Sequence, residues 1–176
     1  MSTIDSISNL DYLGDATPFI GRIHEIITSI QMFDDFNSAE IAEFSRYMRC
    51  YHAPQGIEII CEGEAGDFML LILEGNIEVV KKDVRGQPQV LSIADPGKTL
   101  GEMSLIDGEP RFASCVSLTP VDFAALDRQS LSRMIAEEPA LGLKLLMELL
   151  ILLNQRLRGV SGQLMDCLEA RRSRIR

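Results

Sequence analysis

The 176-residue sequence predicts an α+β protein that is mainly β, an antiparallel sandwich or roll with helices before it and a long helix after it. Between residues 50 and 127, short runs rich in Ile, Val and Leu are broken every eight to twelve residues by glycine, proline or acidic turns, which is typical of antiparallel strands. On both sides of this region, apolar residues recur at helical spacing. Strand and helix patterns do not alternate, so a Rossmann-type nucleotide site is excluded.

Six strands are predicted from the apolar runs. Turn signals such as Glu74-Gly75-Asn76 and Asp95-Pro96-Gly97 separate neighbouring strands. The predicted strands are residues 56–61, 68–73, 77–82, 89–94, 113–118 and 121–126.

Two helices are predicted ahead of the strands. Residues 1–15 are interpreted as a loose leader. Pro18 suits the first turn of a helix whose apolar residues recur at helical spacing and which ends near Phe33. A second helix is predicted to start at an N-cap, Ser38, and to run to Met48, with Glu40 in its acidic first turn.

After the strands, a short helix is predicted around residues 128–137 and a long one from about Pro139. Gly159 and Gly162 each weaken a helix by about 1 kcal/mol relative to alanine, so a bend or a close approach is expected there. A heptad seam follows the long helix: Leu146, Leu150, Leu153, Leu157, Val160, Leu164 and Cys167. The seam predicts a parallel homodimer. The alternative is that this stripe packs on the chain's own roll.

Charge and cysteine content exclude several function classes. A formal net charge of -9 opposes broad attraction to nucleic acid or to anionic lipid. The four cysteines form no C-x-x-C pair and have no metal-ligand spacing with His24 or His52. Positive charge is concentrated in the tail, which is interpreted as a solvated end: Arg171, Arg172, Arg174 and Arg176.

Several features predict a cytoplasmic protein without a membrane partner. The N-terminus is polar and acidic, unlike a secretory signal. The longest apolar stretch, residues 145–153, contains Glu148 and is far shorter than the ~20 residues that a membrane span requires. The dispersed cysteines fit free thiols in a reducing compartment.

Residues 101–114, GEMSLIDGEPRFAS, carry the residue types suited to a ligand. They predict a strand end, one helical turn opening at Glu102, a glycine-proline turn, and Arg111 leading into the next strand. Amides at a helix N-terminus and a nearby guanidinium favour an anion, whereas the Glu102 carboxylate accepts from a hydroxyl. A phosphate next to a sugar hydroxyl fits this pair. The alternative is a Glu102–Arg111 salt bridge that closes a surface loop.

This segment resembles the phosphate-binding cassette of the cyclic nucleotide-binding domain family, seen in kinase regulatory subunits, gated channels and bacterial activators. The motifs PQG at 54–56, GEAGD at 63–67, LILEG at 71–75 and PG at 96–97 extend the resemblance over about residues 35–165. It implies an antiparallel double-stranded β-helix, or jelly roll, at 35–138. A leader and helix at 1–34 would precede it, and the long helix at 139–176 would act as lid and dimer seam.

The resemblance implies roles for the cassette residues. Arg111 would bind the exocyclic phosphate oxygens, and Glu102 would accept the ribose 2′-hydroxyl. Gly101, Met103 and Phe112 would contribute mainly backbone contacts. Ala113 completes the cassette's ligand set.

Three further residues are implied as base contacts. Val79 and Leu91 fall where the family places apolar residues against the base; the alternative for each is an ordinary core residue. Ser161 corresponds to a family serine that contacts adenine, although Val160 replaces the neighbouring threonine. The alternative for Ser161 is a solvated helix serine.

The resemblance therefore implies a cyclic nucleotide sensor that signals allosterically through its C-terminal helix. Phe112 lacks the hydroxyl that cGMP-selective members carry, so cAMP is favoured over cGMP. No cofactor, no catalysis and no direct DNA binding are expected, and the downstream protein partner is unknown. A degenerate roll acting as a dimerising adaptor is the alternative. A cupin-like metalloenzyme fails because clustered strand histidines are lacking.

Overall fold

Two antiparallel sheets form the body of the protein. The computed structural model describes Ile7, residues 10–29 and residues 36–173. One sheet has the strand order β1-β2-β9-β4-β7, and the other has the order β3-β8-β5-β6. The strands are β1 (Asp11–Asp15), β2 (Arg49–Ala53), β3 (Glu58–Ile60), β4 (Phe68–Glu74), β5 (Ile77–Lys82), β6 (Pro88–Ala94), β7 (Thr99–Leu100), β8 (Ser114–Ser117) and β9 (Val121–Asp127). The predicted jelly roll is confirmed.

Strand β4 shows how the sequence produces two separate cores. Successive strand residues point to opposite faces, and six of the seven β4 residues are buried. Phe68, Leu70 and Ile72 lie in the core between the two sheets, together with Phe123 and Ile77. Met69, Leu71 and Leu73 face the helices instead. Because β4 is buried on both faces, its sequence is continuously apolar rather than alternating.

Helices cover the outer face of the five-stranded sheet. They are α1 (Ile20–Ser29), α2 (Ser38–Ser45), α3 (Glu102–Asp107), α4 (Arg128–Glu137) and α5 (Pro139–Ser173), and one 3-10 turn (Thr17–Phe19) precedes α1. The start of α5 is held against α2, because Lys144 Nζ donates to both carboxylate oxygens of Glu40 at 2.7 Å. Leu145 and Leu149 are buried in the core that contains α2 and α4.

Several local predictions are wrong. Residues 11–15 of the predicted leader form β1, which pairs with β2. The N-cap of α2 is Asn37 rather than Ser38: its side chain accepts from the amides of Ala39 and Glu40, and Glu40 completes a capping box. This helix ends at Ser45, so Met48 leads into β2. The predicted end of the first helix near Phe33 lies outside the described residues.

Two strands had no clear pattern in the sequence. The two residues of β7 are too few to show a period, and β2 directly follows Met48, the predicted end of the second helix, at a place where no strand is predicted. Both depend on tertiary pairing, since β7 pairs with β4 and β2 pairs with β9. The six predicted strands are confirmed with ends shifted by up to two residues.

Helix α5 continues for 35 residues, and its residues 157–172 are all exposed. Gly159 and Gly162 lie inside it, and a Cβ at either position would meet nothing within 4 Å, so no close approach occurs there. Along the part of the chain that the structure describes, no helix is both long and apolar enough to cross a membrane.

Candidate functional site

The cassette, residues 101–114, begins with the short helix α3, which lies between two glycines with left-handed backbone angles. Gly101, at the N-cap of α3, has a φ of 83°, and Gly108, at its C-cap, has a φ of 77°. Non-glycine residues rarely adopt these angles, so the two glycines set both ends of the turn. A Cβ on Gly101 would also approach Arg111 Nη1 to 2.6 Å and the Phe68 carbonyl oxygen to 2.9 Å.

Arg111 is a buried cation held by backbone carbonyls. Its exposed fraction is 4%. Nη1 donates to the carbonyl oxygens of Phe68 at 2.8 Å and Gly101 at 3.0 Å, and the guanidinium carbon lies 4.3 Å from the centre of the Phe68 ring. Nη2 is buried and has no hydrogen-bond partner. Burial lowers the pKa of Arg111 from its ordinary value, although an arginine remains charged at neutral pH.

A loop at residues 62–66 holds the backbone of Arg111 by hydrogen bonds. The Gly63 amide donates to the Arg111 carbonyl at 2.9 Å, and the Arg111 amide donates to the Glu64 carbonyl at 2.8 Å. A Cβ on Gly66 would overlap Arg111 Nε and Cζ. Because Gly66 does not have a positive φ, its absence of a side chain is needed for space rather than for backbone conformation.

Glu102 is the second buried charge of the site, with an exposed fraction of 2%. One carboxylate oxygen, Oε1, pairs with Arg156 Nη1 from α5, and Arg156 Nη2 donates to the Thr99 carbonyl at 2.6 Å. Burial raises the pKa of Glu102, while the charge of Arg156 opposes this shift. The other oxygen, Oε2, is buried and accepts no hydrogen bond. The alternative of a Glu102–Arg111 surface salt bridge is not found, because Glu102 pairs with Arg156 instead.

Arg111 and Glu102 both line a cavity of about 110 Å³, which lies between β5, β7, β8, the cassette and α5. Apolar side chains form most of its wall. The predicted site residues that line it are Val79, Gly101, Glu102, Met103, Arg111, Phe112 and Ala113, and the other lining residues are Ile60, Leu100, Ser104, Cys115 and Arg156.

Two predicted base contacts lie away from this cavity. Leu91 is on β6 with an exposed fraction of 51%, and Ser161 is exposed on α5, where its hydroxyl donates to the Leu157 carbonyl at 2.8 Å. Neither is among the lining residues. Sequence reasoning missed Arg156, which precedes Ser161 on the same helix. Nothing in the sequence around Arg156 indicates that its side chain contacts Glu102, which lies 54 residues earlier.

The site offers a thiol, charged side chains and an apolar wall. The Cys115 thiol lines the cavity, but burial raises its pKa to about 12, so it stays protonated and unreactive. Among the residues that the structure describes, no group of three or more His, Cys, Asp and Glu side chains could hold a metal ion. The unpartnered guanidinium nitrogen and carboxylate oxygen can together take an anion and a hydroxyl.

Comparison with known proteins agrees with this site. A solved structure of a cyclic nucleotide-binding domain from Methylobacillus flagellatus KT is 40% identical, with a TM-score of 0.82, over 89% of this chain and 88% of that one. The CRP-like cAMP-activated global transcriptional regulator of Mycobacterium tuberculosis is 29% identical over 142 residues, which are 81% of this chain and 62% of the regulator.

A cyclic nucleotide-gated potassium channel of Rhizobium etli is 34% identical over 117 residues, 62% of this chain and 31% of the channel. The chain thus spans less than two thirds of the length of these curated relatives. The family described as "Cyclic nucleotide-binding domain" matches residues 51–138, from β2 through α4. That match covers half of the chain and contains the cassette and strands β3 to β9, so the chain belongs to the cyclic nucleotide-binding domain family.

Proposed function

We propose that the chain is a cAMP sensor that binds its ligand in this cavity and signals through α5. One observation carries the proposal: Arg111 Nη2 and Glu102 Oε2 are both buried without hydrogen-bond partners, and the two residues line the same cavity. An unpaired buried polar group costs about 1–3 kcal/mol, and more when it is charged. A ligand with an anionic and a hydroxyl group would remove both costs.

A cyclic nucleotide supplies these groups on adjacent parts of one molecule. Its cyclic phosphate would accept from Arg111 Nη2, and its ribose 2′-hydroxyl would donate to Glu102 Oε2. The apolar side chains of Val79, Leu100 and Met103 would contact the base. Because Phe112 has no hydroxyl to reach a guanine amino group, we expect cAMP to bind more tightly than cGMP.

Ligand entry requires the cavity walls to move. Small-molecule pockets usually enclose about 300–1,000 Å³, whereas this cavity measures about 110 Å³. Arg156 is partly exposed and joins α5 directly to the ligand-binding carboxylate. A nucleotide that binds one position of Arg156 better than another would therefore shift the position of α5, which is the signal that we propose.

The exposed part of α5 is proposed to pair with a second copy of the chain. Isolated helices are marginal in water, so a projecting helix needs a covering surface. Its exposed apolar residues include Leu150, Leu157, Val160 and Leu164, four of the seam positions. A parallel homodimer would bury them.

The remaining assignments concern the cellular role. The relatives are regulators and channels, and we propose a cytoplasmic, non-enzymatic regulator whose output passes to a protein partner rather than directly to DNA. The division at residues 1–34, 35–138 and 139–176 stays a prediction.

Substitution of Arg111 tests ligand binding most simply. Wild-type protein is expected to bind cAMP with a Kd near or below about 1 μM, equivalent to roughly -8 kcal/mol. Arg111→Lys should weaken binding at least about thirtyfold, because a lysine cannot keep both the carbonyl contacts and the ligand contact. Calorimetric titration with cAMP and cGMP measures both affinities, and Arg158→Lys is the matched control. Absence of binding to wild type would leave the dimerising adaptor as the better account.

Gly66→Ala should abolish high-affinity cAMP binding without unfolding the protein. The added methyl group would overlap only side-chain atoms of Arg111 among its nearest neighbours, so the guanidinium must move. The same titration, with far-UV circular dichroism as the test of folding, measures this. Gly21→Ala is the control, because its methyl group meets nothing within 4 Å. Wild-type affinity in Gly66→Ala would show that the position of Arg111 is not critical.

Sedimentation equilibrium tests the α5 dimer. Wild type should have twice the 19.6 kDa mass of one chain. The double variant Leu157→Glu, Leu164→Glu should be monomeric because it places like charges in the apolar seam. Gln163→Glu adds a charge outside the seam and should remain dimeric. A monomeric wild type, or a dimer that survives the double substitution, would contradict the seam.

A further inference from the structure

Lys81, on β5, is fixed against the outer side of the cassette. Its ammonium donates to Glu62 Oε1 at 2.8 Å and to the carbonyl oxygen of Phe112 at 2.6 Å, and it lies 4.5 Å from the centre of the Phe112 ring. Phe112 directly follows Arg111 and lines the cavity, whereas Lys81 itself does not line it. Lys81 therefore contacts the site through Phe112.

Glu62 keeps Lys81 in this place. Its second carboxylate oxygen accepts from the Lys82 amide at 2.9 Å, and its own amide donates to Ser114 Oγ at 3.0 Å. The hydrogen bond from Lys81 lowers the pKa of Glu62, so the carboxylate is ionised at neutral pH. The ammonium is thus held by an acceptor that is itself held by β5 and β8.

The contact with Phe112 fixes the orientation of a peptide group in the cavity wall. A trans peptide is planar, and its carbonyl oxygen and amide hydrogen point in opposite directions. Because Lys81 holds the Phe112 carbonyl, the amide of Ala113 is directed away from Lys81. Gly63 holds the preceding carbonyl, that of Arg111, in the same way. Phe112 and Ala113 both line the cavity.

The ring of Phe112 is fixed by the same ammonium. Its side chain is 54% exposed and could otherwise rotate into solvent. A cation over one face of an aromatic ring is attracted to it electrostatically. The ring therefore remains a wall of the cavity next to the phosphate-binding guanidinium.

We propose that Lys81 is a positioning residue of the ligand site, which orients the Phe112–Ala113 peptide and the Phe112 ring toward a bound cyclic nucleotide. This inference rests on the proposed function. Lys81 does not touch the ligand, and Glu62 acts only by holding Lys81.

Calorimetric titration with cAMP tests the proposal in Lys81→Met, which keeps the apolar stem and removes the charge and the donor. Its affinity should be about three- to tenfold below that of wild type, the size of one ordinary hydrogen bond, because Lys81 acts on the ligand only through Phe112. Lys82→Met, whose side chain lies outside this contact, should bind like wild type. Glu62→Gln should weaken binding in the same direction as Lys81→Met.

A spectroscopic measurement separates positioning from a loss of stability. In ¹H–¹⁵N spectra, cAMP should shift the Ala113 amide resonance of wild type, and the shift should be smaller in Lys81→Met at saturating ligand. Wild-type affinity and an unchanged Ala113 shift in Lys81→Met would overturn the role of Lys81 alone. A wild type that binds no nucleotide would instead overturn the proposed function and this inference with it.

Discussion

The buried guanidinium of Arg111 is the constraint on which the rest of the site depends. A cation removed from water must be compensated by the protein, and here the compensation comes from two carbonyl oxygens and the ring of Phe68. These groups belong to β4 and to the turn before α3, so the cassette cannot form without the sheet. Gly66 and Gly101 leave the space that the side chain occupies. The guanidinium is thus held in one place by the protein's own groups.

The site contains two buried polar atoms without partners, each of which lowers the free energy of unfolding and would be avoided in a purely structural core. Arg111 Nη2 and Glu102 Oε2 are buried without hydrogen-bond partners, although Arg111 Nη1 and Glu102 Oε1 each have partners. Glu102 is anchored by Arg156, which connects the site to α5. Lys81 supports the opposite side of the cassette through Phe112. Binding and signalling are therefore proposed to share one set of contacts: a ligand that completes the free atoms also acts on the residue that holds the long helix.

The parts of this arrangement that the sequence predicted are those with a local pattern. Apolar runs between turn residues predicted the central strands, and residues 101–114 predicted the helical turn that opens at Glu102 and the strand that follows Arg111. The parts that it missed depend on contacts between distant segments. β1 and β7 exist through pairing with other strands, and Arg156 reaches Glu102 across 54 residues. The base contacts proposed for Leu91 and Ser161 stay predictions, because both side chains lie outside the cavity.

The central claim is that the two unpartnered atoms are completed by the phosphate and the ribose hydroxyl of one ligand. Titration of wild type and Glu102→Ala with cAMP and 2′-deoxy-cAMP tests it most directly. Removing the hydroxyl should weaken binding to wild type at least about tenfold, as for a hydrogen bond to a charged group. It should make no difference to Glu102→Ala. Equal affinity of wild type for the two nucleotides would contradict the account.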